Sequence, residues 1–418
     1  IKKIKEGRLR QLAWLALLVL LTACSDQSAE TPAAGSTTAA SYQKQLLEQL
    51  IMAKPGDVIE IPAGTHQINR SLSLKIDGVT LRGAGMDQSI LSFKNQTQGA
   101  EGIIITGSDV LLEGFAVEDA KGDGIKINEC RNLVIRQVRV EWTNGPDEGN
   151  GAYGLYPVQC ENVLIDGSVA IGASDAGIYV GQSNQVVVKN SRAEYNVAGI
   201  EIENTTNADV FDNVATNNTG GILVFNMPNL PQAGVKTRVF NNQILNNNTD
   251  NFAKEGTAVA GVPAGSGVVI NSNDQVEIFA NTFKDNATAS IIISSYFSSG
   301  YADRATTEAF DPYPESIFIY DNSFSGGGDS PDGVELQALR VAKYGLTGRL
   351  PDIIWDGFVN DAVLVDGELP ADKKICVKNG ESKVLNADMP NDYANITDDS
   401  RQFDCELPKL AAVNLQLR

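Results

Sequence analysis

Gly177-Ile178-Tyr179-Val180, Gly199-Ile200-Glu201-Ile202 and Gly221-Ile222-Leu223-Val224 repeat one pattern at steps of 22 residues: a glycine, then apolar, variable, apolar. Further copies stand at Gly124-Ile125-Lys126-Ile127, Gly154-Leu155-Tyr156-Pro157 and Gly267-Val268-Val269-Ile270. Successive glycines are 30, 23, 22, 22 and 46 residues apart, the last span holding two coils of 23. Second apolar runs follow in register at Leu133-Val134-Ile135, Val163-Leu164-Ile165 and Val186-Val187-Val188. A short fixed period of short strands and tight turns is the mark of a solenoid, in which no coil buries its apolar face without a neighbour. Alternation along a strand turns Ile178 and Val180 inward and Tyr179 outward. No apolar pattern of period 3.6 recurs over ten or more positions, which argues against helical repeats. The expected fold is all-β: a single-stranded right-handed parallel β-helix with an N-terminal capping helix and an irregular C-terminal cap.

Outside the repeat the chain divides into an address, a tether and two ends. Lys2, Lys3, Lys5, Arg8 and Arg10 precede the apolar stretch Leu12 to Leu21, and Leu21-Thr22-Ala23-Cys24 closes it. This is the layout of a leader rather than of folded structure. It resembles the lipobox of bacterial lipoproteins, which implies lipidation of Cys24 and anchoring to a membrane by the lipid. Ser25 after the cysteine implies, by the same resemblance, the outer membrane of a Gram-negative cell, facing periplasm or cell surface. Residues 1–23 are thus read as leader and 24–41, rich in Ser, Thr, Ala, Pro and Gly, as a flexible tether. Residues 42–328 are read as the β-helix and 329–418 as the C-terminal cap. Residues 42–53 have helical spacing suited to plugging the first coil.

Charge narrows the partners. The chain carries −19, and loss of residues 1–23 removes five basic groups and Glu6, leaving −23, four units lower. Such a surface repels nucleic acid and disfavours polyanionic glycans such as pectin or alginate. Cys130 and Cys160 hold the same place in consecutive coils, and stacked strands lie about 4.8 Å apart, within disulfide reach. A Cys130–Cys160 bridge follows, and by elimination Cys376–Cys405; reduced thiols in the stack are the alternative. One histidine and no Cys-x-x-Cys argue against a zinc or copper site built from side chains. Asn213, Asn242, Asn281 and Asn322 share one turn position, and Asn196, Asn218, Asn247 and Asn286 another, as hydrogen-bonding ladders do.

The runs Ala173 to Ser183, Asn196 to Asn204 and Asn218 to Phe225 resemble a family of exported parallel β-helix repeat lipoproteins within the pectate-lyase-like class. Gly56 to Thr65 and Val79 to Gly85 are similar to the opening coil of that class. The family has no established reaction. Resemblance to it implies an exported c-type-cytochrome-like protein as a possible partner, and the wider class includes sugar-binding proteins and sugar-cleaving enzymes. Fold does not choose among these.

The outward column of the first strand of each coil reads Lys126, Tyr156, Tyr179, Glu201, Leu223, Val269. Lys126, Tyr156, Tyr179 and Glu201, with Tyr153 and Asp175 beside them, form the expected ligand-binding groove, bordered by insertions at 143–153 and 227–234. Longer interruptions lie at 249–264 and 298–314. A lyase would need a base, a proton donor and a neutraliser of the uronate carboxylate; a glycoside hydrolase would need paired carboxyls. Asp123 and Asp175 stand near this face, but no Asp–Asp pair occupies a strand position. Whether the chain is an enzyme stays open, with polysaccharide lyase and glycoside hydrolase as the classes. Tyr153-Gly154-Leu155-Tyr156-Pro157-Val158 aligns with the Tyr-Gly-Phe-Asp-Pro-His motif of mannuronan C5-epimerases but has Tyr156 and Val158 at the reactive positions, which disfavours that activity. No cofactor is expected, with Asp147 and Glu148, joined by Asp175 or Asp119, as calcium candidates. His66 is expected to be packed or exposed rather than catalytic. The expected function is binding or processing of a neutral or weakly charged polysaccharide; the alternative is a non-catalytic scaffold or maturation partner for an exported redox protein. A broad apolar patch around Leu223, Phe225, Met227 and Leu230 would favour the alternative.

Overall fold

The computed structural model describes residues 39–299 and 306–417. Three parallel sheets run side by side: sheets A and C with 11 strands each and sheet B with 10. Each coil as far as Ser323–Ser325 visits them in the same order. Glu161–Asp166 adds to sheet A, Val169–Ile171 to sheet B and Ala176–Gly181 to sheet C, and the next coil repeats the path. The repeat therefore becomes a vertical file. In sheet C, Leu72, Ile103, Ile125, Leu155, Ile178, Ile200, Ile222, Val268, Ile291, Ile353 and Val384 are register partners one above another. All are buried in one continuous core.

The repeat glycine has a steric cause. A Cβ on Gly199 would lie 2.5 Å from the Gly221 carbonyl oxygen and 2.8 Å from Asn218 Nδ2. Each ladder asparagine thus crowds the sheet C strand of the coil before it, and only glycine fits there. Both ladders form. Asn196 donates to Asn218 Oδ1 at 3.0 Å, Asn218 to Asn247 at 3.0 Å and Asn247 to Asn286 at 3.1 Å. Asn213, Asn242, Asn281 and Asn322 do likewise, and Asn379 prolongs that file by one further bond of 3.1 Å.

The N-terminal helix, α1, spans Ala39–Met52, so the last residues of the expected tether are helical. It lays Tyr42, Leu46 and Leu50 on the first coil and covers the open end of the core. His66 packs its ring on Tyr42 at 4.0 Å and bonds the Pro62 carbonyl, a structural role. Cys130–Cys160 and Cys376–Cys405 are both bridged, with Cα atoms 4.5 and 4.9 Å apart. The leader and Cys24 lie outside the described residues. No helix among the described residues is long and apolar enough to cross a membrane.

The boundary expected at 328 falls inside the stack. Ile353–Trp355 and Val384–Asn386 continue sheet C, and Ile375–Lys378 continues sheet A. Sheet B alone stops, at Ser323–Ser325. Beyond it a helix, α2 (Val334–Tyr344), and irregular segments intervene between the remaining strands, which erases the sequence period while the stacking persists.

Candidate active site

Four insertions interrupt the coils, and each leads into or out of sheet C. Residues 142–152 and 246–265 precede sheet C strands; 226–234 and the segment from 295 to 316 follow them. The outer face of sheet C is consequently covered over its middle coils. Val259 and Val262 from one insertion and Tyr296 from another pack with Leu223, Phe225, Met227 and Val269, with Phe252 and Phe310 beside them. Of the expected groove residues, Tyr179 and Glu201 are buried, 3% and 1% exposed, whereas Lys126, Tyr153 and Tyr156 stay partly exposed. Leu223, Phe225 and Met227, whose exposure would have favoured a protein partner, are buried under these segments, and Leu230 reaches solvent. Outward-pointing is a property of the strand; exposure depends on what the insertions do.

Beneath this cover the outward column is in place. Tyr156 pairs with Lys126 and Tyr179 with Glu201 across the strands. The rings of Tyr153, Tyr156 and Tyr179 contact one another, with centroids 4.4, 4.7 and 5.0 Å apart. Gly181 makes room for this packing: a Cβ there would lie 2.2 Å from the Tyr179 hydroxyl. That hydroxyl donates to Glu203 Oε1 at 2.6 Å. Glu203 was not among the residues singled out from sequence, although the alternation of Glu201-Ile202-Glu203 puts both carboxyls on one face. Tyr153 donates a longer bond, 3.4 Å, to Asp175 Oδ2. At the N-terminal end of the face Lys126 lies 3.7 Å from Asp123 and 4.8 Å from the Tyr156 ring centroid, cation over aromatic face.

Burial divides the carboxyls. It holds Glu201 well above the usual carboxylate range, and Asp175 and Glu203 add like-charge repulsion. Glu201 Oε2 has no hydrogen-bond partner among the described residues. Burial, then Glu203, pushes Asp175 up to about 7 against the bond from Tyr153. Glu203 is raised by burial but drawn back by the Tyr179 hydroxyl, which favours its charged form. Burial raises Asp123, which Lys126 offsets. Tyr156 is pushed to about 12 by burial and the surrounding carboxylates, and Tyr153 and Tyr179 are raised well above their ordinary value.

Not every expected residue joins this cluster. Asp147 and Glu148 lie exposed on their loop, where Asp147 Oδ1 accepts from the Gly149 amide at 2.7 Å. Asp119 instead accepts from the Thr143 amide and hydroxyl, and Asp175 is buried. Local hydrogen bonds thus engage Asp147 and Asp119, and these acids are not gathered into the expected calcium site among the described residues. Among the described residues, the acids that gather within 4.8 Å are Asp274, Asp311 and Glu315, with Lys373 ion-paired to Glu315. Farther along, sheet C turns apolar and borders a cavity of about 630 Å³ walled by Val269, Ile292, Leu336 and Leu339.

Residues 67–230 match the family described as right handed beta helix region. Together with the three stacked sheets, this match shows the fold to be a right-handed parallel β-helix. No curated protein matches the chain in sequence. Solved structures of similar fold include the A-module of mannuronan C-5 epimerase AlgE4 from Azotobacter vinelandii, at 19% identity and TM-score 0.46, covering 71% of this chain and 86% of that one. An alginate lyase from Paenibacillus sp. str. FPU-7 shares 16% identity, TM-score 0.42, over 68% of this chain and 94% of the lyase. DFA-IIIase from Arthrobacter chlorophenolicus A6 shares 13%, TM-score 0.46, over 78% and 90%.

Proposed function

We propose that the enclosed acid and tyrosine face of sheet C binds a glycan and cleaves a glycosidic bond by general acid catalysis. One observation carries the reading: Glu201, buried with an unpartnered oxygen, sits in one cluster with Glu203, whose charge a tyrosine hydroxyl supports. Glycoside hydrolysis asks for such a division, one carboxyl kept protonated to donate to the leaving oxygen and another ionised. Glu201 is the proton donor in this reading and Glu203 the carboxylate. The partly exposed rings of Tyr153 and Tyr156 offer aromatic surface of the kind that sugar rings contact. Lyase chemistry fits less well. The tyrosines that would act as bases are held in their protonated form, and a uronate carboxylate would meet three carboxyls. The leader's basic start, apolar stretch and Cys24 support export and lipid anchoring in the outer membrane as part of the same proposal.

Glu201→Gln tests it. The amide is nearly isosteric and cannot donate a carboxyl proton. Release of reducing ends from a panel of polysaccharides is expected to fall by about 10²-fold or more, with circular dichroism unchanged. Wild-type rates in the variant would exclude Glu201 as the acid.

A further inference from the structure

Three carboxyls, those of Asp175, Glu201 and Glu203, are gathered on one face, and no Lys, Arg or His among the described residues is ion-paired with any of them. Burying carboxyls together without a cation is costly, and a merely structural site would be filled by apolar side chains instead. Glu201 is 1% exposed, and its Oε2 lacks a partner among the described residues. That oxygen awaits a group the ligand brings. The tyrosine rings add a second preference, because aromatic faces attract cations. The face already displays the arrangement it would offer: the Lys126 ammonium lies over Tyr156 with Asp123 at its side.

We propose that this site takes a glycan bearing a free amine, its ammonium settling on Glu203, the carboxyl whose charge the Tyr179 hydroxyl supports, beside the tyrosine rings. The inference rests on the glycan reading above and names its substrate class. A deacetylated hexosamine polymer has the required chemistry: hydroxyls for the carboxyl oxygens, ring faces for the tyrosines and one positive charge per sugar. An acetylated sugar loses the charge, and a uronate reverses it. Discrimination by such a site is large, because a wrong ligand leaves buried polar groups unpaired.

The test compares binding of a glucosamine tetramer, its N-acetylated counterpart and a galacturonate tetramer to the exported chain by titration calorimetry at mildly acidic pH. The glucosamine tetramer is expected to bind tighter than the acetylated one by about tenfold or more, with galacturonate weakest. Glu203→Gln is expected to abolish that preference. Lys126→Ala, at the partly exposed end of the face, removes a competing cation and is expected to strengthen glucosamine binding. Equal or tighter binding of the acetylated tetramer would overturn the amine assignment while leaving a glycan site. Failure of all three oligosaccharides to bind would overturn the glycan reading and the amine assignment together.

Discussion

Asp175 shows how one buried residue makes the whole molecule sensitive to pH. Its carboxyl is pushed from 3.8 to about 7, by burial first and then by Glu203, with Asp123 adding to the repulsion and Tyr153 opposing it through a hydrogen bond. Glu201 faces the same cluster and is raised in turn, by burial first and then by Asp175. The folded chain therefore holds this proton more tightly than the unfolded chain. The sign follows from linkage: the stability it contributes is complete below about pH 4 and drains away as pH rises toward about 7. Asp175→Asn replaces the carboxyl by an amide that has no charge to lose. The melting temperature of the wild type is expected to fall across this window, and that of the variant to fall by visibly less. Calorimetry at several pH values decides it, and parallel curves for the two proteins would contradict the burial argument.

At the scale of the repeating element, the asparagine files do what the apolar files cannot, because they satisfy the turns. Asn218 donates to the Ala193 carbonyl and to Asn247 Oδ1, and its own oxygen accepts from the Asn196 amide and side chain. Asn218→Ala strands buried partners on both neighbouring coils. The expected cost is about 1–3 kcal/mol for each group left unsatisfied, read as a lower midpoint in urea. A loss below about 0.5 kcal/mol would mean that water enters the turn. This element was legible in sequence because a glycine, an asparagine and two alternating apolar residues each answer a local steric demand, coil after coil. The same legibility gave the Lys126, Tyr156, Tyr179, Glu201 column and the Cys130–Cys160 bridge. It gave out where the demand ceased to be local. The stacked rings of Phe211, Phe240, Phe279 and Tyr320, 4.8 to 4.9 Å apart on sheet A, lie in coils of unequal length, so no fixed spacing announced them. Burial of Tyr179 depends on insertions without a repeat, and so the column was legible while its cover was not. Glu203 was legible in principle, one pleat beyond Glu201.

Over the whole molecule, the chain after the last disulfide turns back and runs along sheet A against the direction of the stack. Lys409 lies over the Tyr320 ring at 4.5 Å, the Leu410 amide bonds Glu277, the Val413 amide bonds Asp209 at 3.0 Å, and the Gln416 amide reaches Asn162 at 3.5 Å. These contacts are few, and each hydrogen bond is worth about 1 kcal/mol net. Fixing the backbone costs about 1–2 kcal/mol for every residue ordered. The strap therefore depends on being delivered to its track, and Cys376–Cys405 does this by holding the start of the strap to a strand of sheet A. Breaking the bridge should release the strap without unwinding the coils, whose cores it does not enter. Hydrogen exchange is the measurement: the Leu410 and Val413 amides are expected to be protected in the wild type and to exchange at the rate of an unstructured chain in Cys405→Ser, while amides of the Ile178 to Ile222 coils keep their protection. Unchanged protection of the tail in the variant would show that its side-chain contacts with sheet A are sufficient by themselves, and that the bridge serves the last coil alone.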